Sequence, residues 1–154
     1  MINMTESERT ISEDELSRVE EAIDGPLPKC YRAFLLAHNG GRPQPNVIDI
    51  DDWEFRTTDV NVFYAIDDSV ESCDILWNLQ NLEGCKENKL LPIASDSGAN
   101  SFALVIAPEC YGQVYYFDAR EIPPRPYLVA KDFSEFLSKI RDATPDELPN
   151  PDAD

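Results

Sequence analysis

The residues of this chain whose chemistry goes beyond packing are four cysteines, one histidine and several tight groups of carboxylates. Cys30, Cys73, Cys85 and Cys110 are separated by 43, 12 and 25 positions, with no C-x-x-C pair and only His38 to add to them. Structural zinc needs thiolate or imidazole ligands paired at short spacing. We therefore expect four reduced, mostly buried thiols, no disulfide scaffold and no metal. His38-Asn39-Gly40-Gly41 has the form of the glycine loops that donate oxyanion-hole amides, but there is no G-x-S-x-G nucleophile elbow to go with it. A lone histidine closing an apolar helical stripe is expected to face the last carbonyls of its helix. A hydrolase built on Cys30, His38 or Asp118 would need a convergent cleft, and we expect no catalytic residues and no cofactor.

Asp96-Ser97-Gly98-Ala99-Asn100-Ser101 offers oxygen ligands on a flexible backbone. It has too few carboxylates for an EF-hand and lacks the G-K-[ST] of a phosphate loop. Asp, Gly and Asn between two apolar runs are what a turn requires. The adjacent pairs Asp51 and Asp52, and Asp67 and Asp68, are no better suited to shared acid-base work, because neighbours in a strand point to opposite faces.

The elements that position these groups can be read from hydrophobic period. Ser12-Glu13-Asp14-Glu15 is a capping-box spacing, followed by Leu16, Val19 and Ile23 at i, i+3 and i+7, with Gly25-Pro26 as the stop. Leu27-Pro28 opens a second helix with Tyr31, Phe34, Leu35 and His38 on one face, and Asn39-Gly40-Gly41 ends it. From Val47 the period is two, but Ile48 and Ile50 lie on one parity and Trp53 and Phe55 on the other. That mismatch predicts a bulge or tight turn near Asp51-Asp52. Val60 to Ile66 reads as a strand, and a third helix is expected from Asp68 to about Gly84. Leu90 to Ala94, Phe102 to Ile106, Gln113 to Asp118 and Tyr127 to Ala130 read as four more strands. Pro92 implies an edge or entry position for the first of them, and the second, apolar on both parities, belongs in the centre of the sheet. A final helix starts at Asp132. Helices and strands in this order predict an α+β domain.

The chain has 154 residues and a formal charge of −17, with thirty Asp and Glu against thirteen Lys and Arg. Such a charge repels phosphate backbones, which excludes direct nucleic-acid binding. With no apolar run of 18 residues and no cationic, apolar leader, a cytoplasmic protein without membrane contact is expected. Residues 1–10 are polar and expected to be flexible, 11–142 form one domain, and 143–154, ATPDELPNPDAD, are expected to be a disordered acidic tail. Within the domain, Asp49 to Asp74 carries nine acids against Arg56 alone, a charge of −8 over 26 residues. Folding gathers that like charge on one side and invites a basic partner. The expected contact residues are Asp49, Asp51, Asp52, Trp53, Glu54, Asp59, Asp67 and Asp68, with Trp53 or Phe55 as an aromatic anchor if exposed.

Four motifs occur in order: Leu27-Pro28 with Tyr31-Arg32-Ala33-Phe34-Leu35 and Asn39-Gly40-Gly41-Arg42-Pro43; Leu91-Pro92-Ile93-Ala94 with Asp96-x-Gly98-x-Asn100; Val114-Tyr115-Tyr116-Phe117-Asp118; and Val129-Ala130-x-Asp132-Phe133-x-Glu135-Phe136-Leu137. Together they resemble the SUKH superfamily, which joins Smi/Knr-type cell-wall regulators with bacterial immunity proteins. Ala99 stands where the family usually has a second glycine, and Asp132 where it usually has serine. The resemblance implies a twisted, largely antiparallel sheet packed against N-terminal, middle and C-terminal helices, with no catalytic residues. It also implies an immunity protein, a monomer or weak dimer, that neutralises a cognate toxin domain. The alternative is a non-catalytic regulatory scaffold in cell-wall synthesis or signalling.

Overall fold

The protein is described by a computed structural model covering residues 2–148. In chain order, the described residues form β1 (Asn3–Thr5), α1 (Glu13–Ile23), α2 (Lys29–Ala37), β2 (Arg42–Gln44), β3 (Val47–Asp49), β4 (Thr57–Asp59) and β5 (Val62–Phe63). Next come α3 (Ile75–Asn81), β6 (Leu90–Ser95), β7 (Ser101–Val105), β8 (Val114–Phe117), β9 (Tyr127–Ala130) and α4 (Phe133–Lys139). Strands β5-β6-β7-β8-β9 make one antiparallel sheet in that order. This is the α+β architecture expected.

Both halves of the capping box form at α1: Ser12 Oγ accepts from Glu15 N at 3.3 Å, and the Glu15 carboxylate accepts from Ser12 N at 3.3 Å. Leu16, Val19 and Ile23 are buried, and the helix ends on Asp24 in the left-handed region at φ 55°. Helix α2 starts directly after Pro28, whose missing N–H is no loss at a helix start. Its Phe34 ring lies 4.9 Å from Phe63 and 5.1 Å from Phe133, so α2, α4 and the sheet meet in one aromatic core. Asp132 caps α4 by accepting from Glu135 N at 2.8 Å. Strand β7 lies at the centre of the sheet, as its two apolar faces require. Pro92 sits where the β6–β7 register shifts, so its missing donor falls at an irregularity in the ladder.

Several expectations are corrected. The third helix does not run from Asp68. A single 3₁₀ turn, Glu71–Cys73, precedes Asp74, which is extended (φ −88°, ψ 133°) and caps α3 by accepting from Trp77 N at 3.0 Å. The strand expected over Val60 to Ile66 is reduced to β5, because Ala65 leaves the ladder to exchange backbone bonds with Cys73 and Ile75. The N-terminal segment is not loose: β1 pairs antiparallel with β2, and Ser7 Oγ donates to Gly40 O at 2.8 Å. Of the acidic tail, Pro145–Glu147 forms a 3₁₀ turn held by Arg141, while 149–154 lie outside the described residues. The thiols are free but not mostly buried. Cys30 and Cys110 are exposed and Cys73 and Cys85 half-buried, with burial pushing the Cys85 thiol up to about 11. No helix among the described residues is long and apolar enough to cross a membrane.

Candidate functional site

Strands β3 and β4 pair antiparallel with Asp49 opposite Thr57, and the connection from Ile50 to Arg56 resolves the parity conflict seen in the sequence. Asp52 (φ 67°) and Arg56 (φ 65°) both take left-handed backbone, which Asp tolerates better than most residues. Ile50 N donates to Arg56 O at 2.7 Å and Arg56 N to Trp53 O at 3.1 Å. The double turn reverses the chain so that Ile50 and Trp53 are both buried, while Asp51, Asp52, Glu54 and Phe55 are exposed.

Trp53 is therefore a core residue and not a free anchor. Its ring packs 4.9 Å from Tyr116, and its Nε1 donates to Asp118 Oδ2 at 3.1 Å. An indole N–H buried in a core needs such an acceptor. Asp118 also accepts from Arg120 N, Nε and Nη2 at 2.9, 3.0 and 2.8 Å. The Arg120 guanidinium holds the Asp118 carboxyl well below the usual carboxylate range, with Trp53 also contributing, against the opposing effect of burial. The guanidinium lies 4.9 Å from the Phe55 ring centroid, and Phe55 stands edge-on to Trp53 at 5.3 Å. Phe55 keeps 53% of its surface exposed, so it is the aromatic residue a partner can reach.

The eight expected contact residues are not equivalent. Arg141 binds Asp49 through Nη2 at 2.8 Å and Nε at 3.2 Å, and this pairing first, with Thr57, holds the Asp49 carboxyl below its ordinary range despite burial. Asp59 accepts from Ser97 N at 2.9 Å and from Ser97 Oγ, which ties β4 to the β6–β7 turn. Asp67 is bound by Arg9 at 3.0 Å and Arg18 at 2.7 Å. Asp68 accepts from Val70 N at 2.8 Å, and partial burial raises its carboxyl. Only Asp51, Asp52 and Glu54 project outward with no ion pair among the described residues. With Arg56 beside them, the turn carries −2 rather than the −8 of the whole acidic segment.

Among the described residues, Cys30, His38 and Asp118 do not converge. Cys30 lies in the first turn of α2 and His38 is the residue that caps its other end, roughly 12 Å away along the axis at about 1.5 Å per residue, and Asp118 is occupied by Trp53 and Arg120. Two shallow depressions of about 350 and 340 Å³ lie away from the acidic turn. One is beside the end of α3, lined by Leu79, Leu82 and Glu87. The other lies between β1, α2 and α4, lined by Ile2, Phe34 and Leu137.

The recurring motifs build the scaffold. The buried Asn39 amide donates to Arg9 O at 3.1 Å and to Ile66 O at 2.9 Å, and accepts from Ile66 N at 2.8 Å, so it staples the end of α2 to the segment after β5. Asp96 Oδ1 accepts from Gly98 N and Asn100 N at 3.0 and 2.8 Å; its Oδ2 accepts from Thr58 Oγ1, Tyr116 Oη and Asn100 Nδ2 at 2.8, 2.6 and 3.1 Å. Ala99 takes φ 64° there, the backbone a glycine would adopt without strain. Arg120 and Arg141 belong to the site, yet sequence reading passed over both. A base two positions after Asp118 was the only available hint of the first, and nothing local marks the second.

No curated protein matches this chain. The model of the SMI1 / KNR4 family (SUKH-1) matches residues 10–139, from just before α1 through the end of α4, and so includes every motif described above. The chain belongs to the SMI1 / KNR4 family (SUKH-1).

Proposed function

We propose that this chain is a cytoplasmic, non-catalytic immunity protein that binds and masks a cognate toxin domain, and that the β3–β4 turn is its contact face. The carrying observation is the combination at that turn: Phe55 half-exposed on a rigid base, with Asp51, Asp52 and Glu54 beside it and free of internal ion pairs. An exposed aromatic flanked by unpaired like charges resembles the centre and rim of an interface. The matching partner surface is cationic, as in enzymes that act on nucleic acids. Complementary potential steers such encounters towards ~10⁸–10⁹ M⁻¹s⁻¹ at low salt.

The test is association kinetics with a small, basic toxin-like C-terminal domain encoded by a neighbouring reading frame. The triple variant Asp51→Lys, Asp52→Lys, Glu54→Lys is expected to associate at least about tenfold more slowly at low salt, with the difference shrinking as salt rises. Equal association rates for variant and parent across the salt series would remove this surface. No complex with any neighbouring toxin-like domain, together with cell-wall genes nearby, would favour the regulatory scaffold.

A further inference from the structure

The loop from Asp118 to Pro126 between β8 and β9 holds Ile122 at 93% exposure, the highest of any large apolar side chain among the described residues. The loop is fixed on both sides of it. Upstream, Arg120 is locked onto Asp118, and Glu121 N donates to Asp118 O at 3.1 Å. Downstream, the Arg125 guanidinium lies 4.6 Å from the Tyr127 ring centroid, while Tyr127 Oη donates to Glu121 at 2.6 Å. Pro123, Pro124 and Pro126 restrict the backbone further. An isoleucine held out by a stiff loop loses little freedom on binding.

This loop is joined to the acidic turn. Asp118 accepts from both Trp53 of the turn and Arg120 of the loop, and Arg120 in turn covers one face of Phe55. Phe55 and Ile122 therefore belong to two loops braced on one buried carboxylate. Arg120 and Asp118 form an ion pair at 2.8 Å with the arginine side chain still 64% exposed, so the pair adds no net charge and Asp51 and Asp52 face a partner.

Resting on the immunity reading, we propose that residues 119–126 form the second half of the partner-binding surface. Ile122 and Phe55 are its two apolar anchors, and they enter an apolar recess of a protein whose rim is cationic. Charge selects this occupant over the others: Asp118 and Glu121 balance Arg120 and Arg125 in the loop, so the −2 of the turn sets the sign of the joint surface. An anionic lipid surface repels a chain of −17. A second copy meeting this face symmetrically would bring the same acids together.

The experiment measures both rate constants against the neighbouring toxin domain for the parent, Ile122→Asp, Phe55→Ala and, as a control, the exposed Val70→Ser. Anchor loss acts on dissociation. Ile122→Asp and Phe55→Ala are expected to dissociate about 30-fold faster or more, with association within about threefold of the parent, and Val70→Ser is expected to match the parent. Thermal melting confirms that each variant is folded. A parent complex whose dissociation is unchanged by Ile122→Asp would overturn this inference and leave the immunity reading standing. If the parent forms no complex, both fail together.

Discussion

Asp96 is the residue whose removal most sharply tests how the acidic turn is held. Its carboxylate accepts five hydrogen bonds from the β6–β7 turn, β4 and β8, and only 3% of the residue is exposed. Asp96→Ala leaves Tyr116 Oη, Asn100 N and Asn100 Nδ2 buried without an acceptor, whereas Gly98 N lies on an exposed residue and can turn to water. Each buried orphan costs roughly 1–3 kcal/mol, and because neighbouring losses do not add fully, about 4 kcal/mol is expected. That is a large fraction of the ~5–15 kcal/mol of a typical domain. Asp96→Asn keeps one oxygen for the two backbone donors but puts an NH₂ where three donors converge, so about 2 kcal/mol is expected. Urea denaturation reads both as drops in midpoint, near 2 M for the alanine variant at a slope of about 2 kcal/mol/M.

The pH dependence of the same difference is an independent check. Burial would raise the Asp96 carboxyl, but the hydrogen bonds from Tyr116, Asn100 and Thr58 outweigh it and leave it below the ordinary value. A carboxylate depressed in the folded state stabilises fully above its unfolded pKa of about 3.9, and loses that contribution as pH falls through the folded value. The gap between parent and Asp96→Asn should therefore be flat from neutrality to about pH 4 and close only below it. Alanine and asparagine variants both within 1 kcal/mol of the parent would refute the reasoning.

Three further substitutions probe the scaffold by urea denaturation. Tyr31 is fully buried, and its hydroxyl has no hydrogen-bond partner among the described residues, so Tyr31→Phe should cost nothing and can gain up to about 1 kcal/mol; a loss above that would reveal an unseen partner. Gly40→Ala places a Cβ 2.7 Å from Ala65 Cβ and 2.9 Å from Phe63 O, at φ +73°. Strain and overpacking together should cost about 3 kcal/mol, whereas Gly25→Ala, which meets open space, should stay within about 0.5 kcal/mol; equal effects at the two glycines would contradict this geometry.

What the sequence disclosed about the fold follows the range of the interactions concerned. The α1 start was readable because a capping box is made within four residues, and the α4 cap for the same reason. The central place of β7 was readable because two apolar faces need cover on both sides. The third helix was misplaced because Asp74 competes as a cap. Its carboxylate captures Trp77 N, and the backbone of Ala65, nine residues earlier, takes up the neighbouring donors and acceptors. Helical period alone carries no record of such a partner. The segment before Thr10 reads as polar and loose because its order comes from pairing with Arg42 and neighbours some forty residues away.

The site shows the same limit in electrostatic form. Counting charges along Asp49 to Asp74 treats nine carboxylates as one patch, but folding brings Arg141 to Asp49 and both Arg9 and Arg18 to Asp67, from 92, 58 and 49 positions away. Those pairs are partly exposed, so their worth in stability is small. Their effect on recognition is large, because a carboxylate already holding an arginine offers little to a second one. The local clue to what remains was the parity break at Asp51-Asp52, which forces the chain to turn and pushes out whatever does not fit the core. Trp53 fits because Asp118 accepts its indole N–H. Phe55, two residues on, is left 53% exposed by the turn, edge-on to Trp53 at 5.3 Å and beside three acids that hold no ion pair among the described residues. The burial of the turn's indole thus depends on a carboxylate 65 positions away that accepts its N–H.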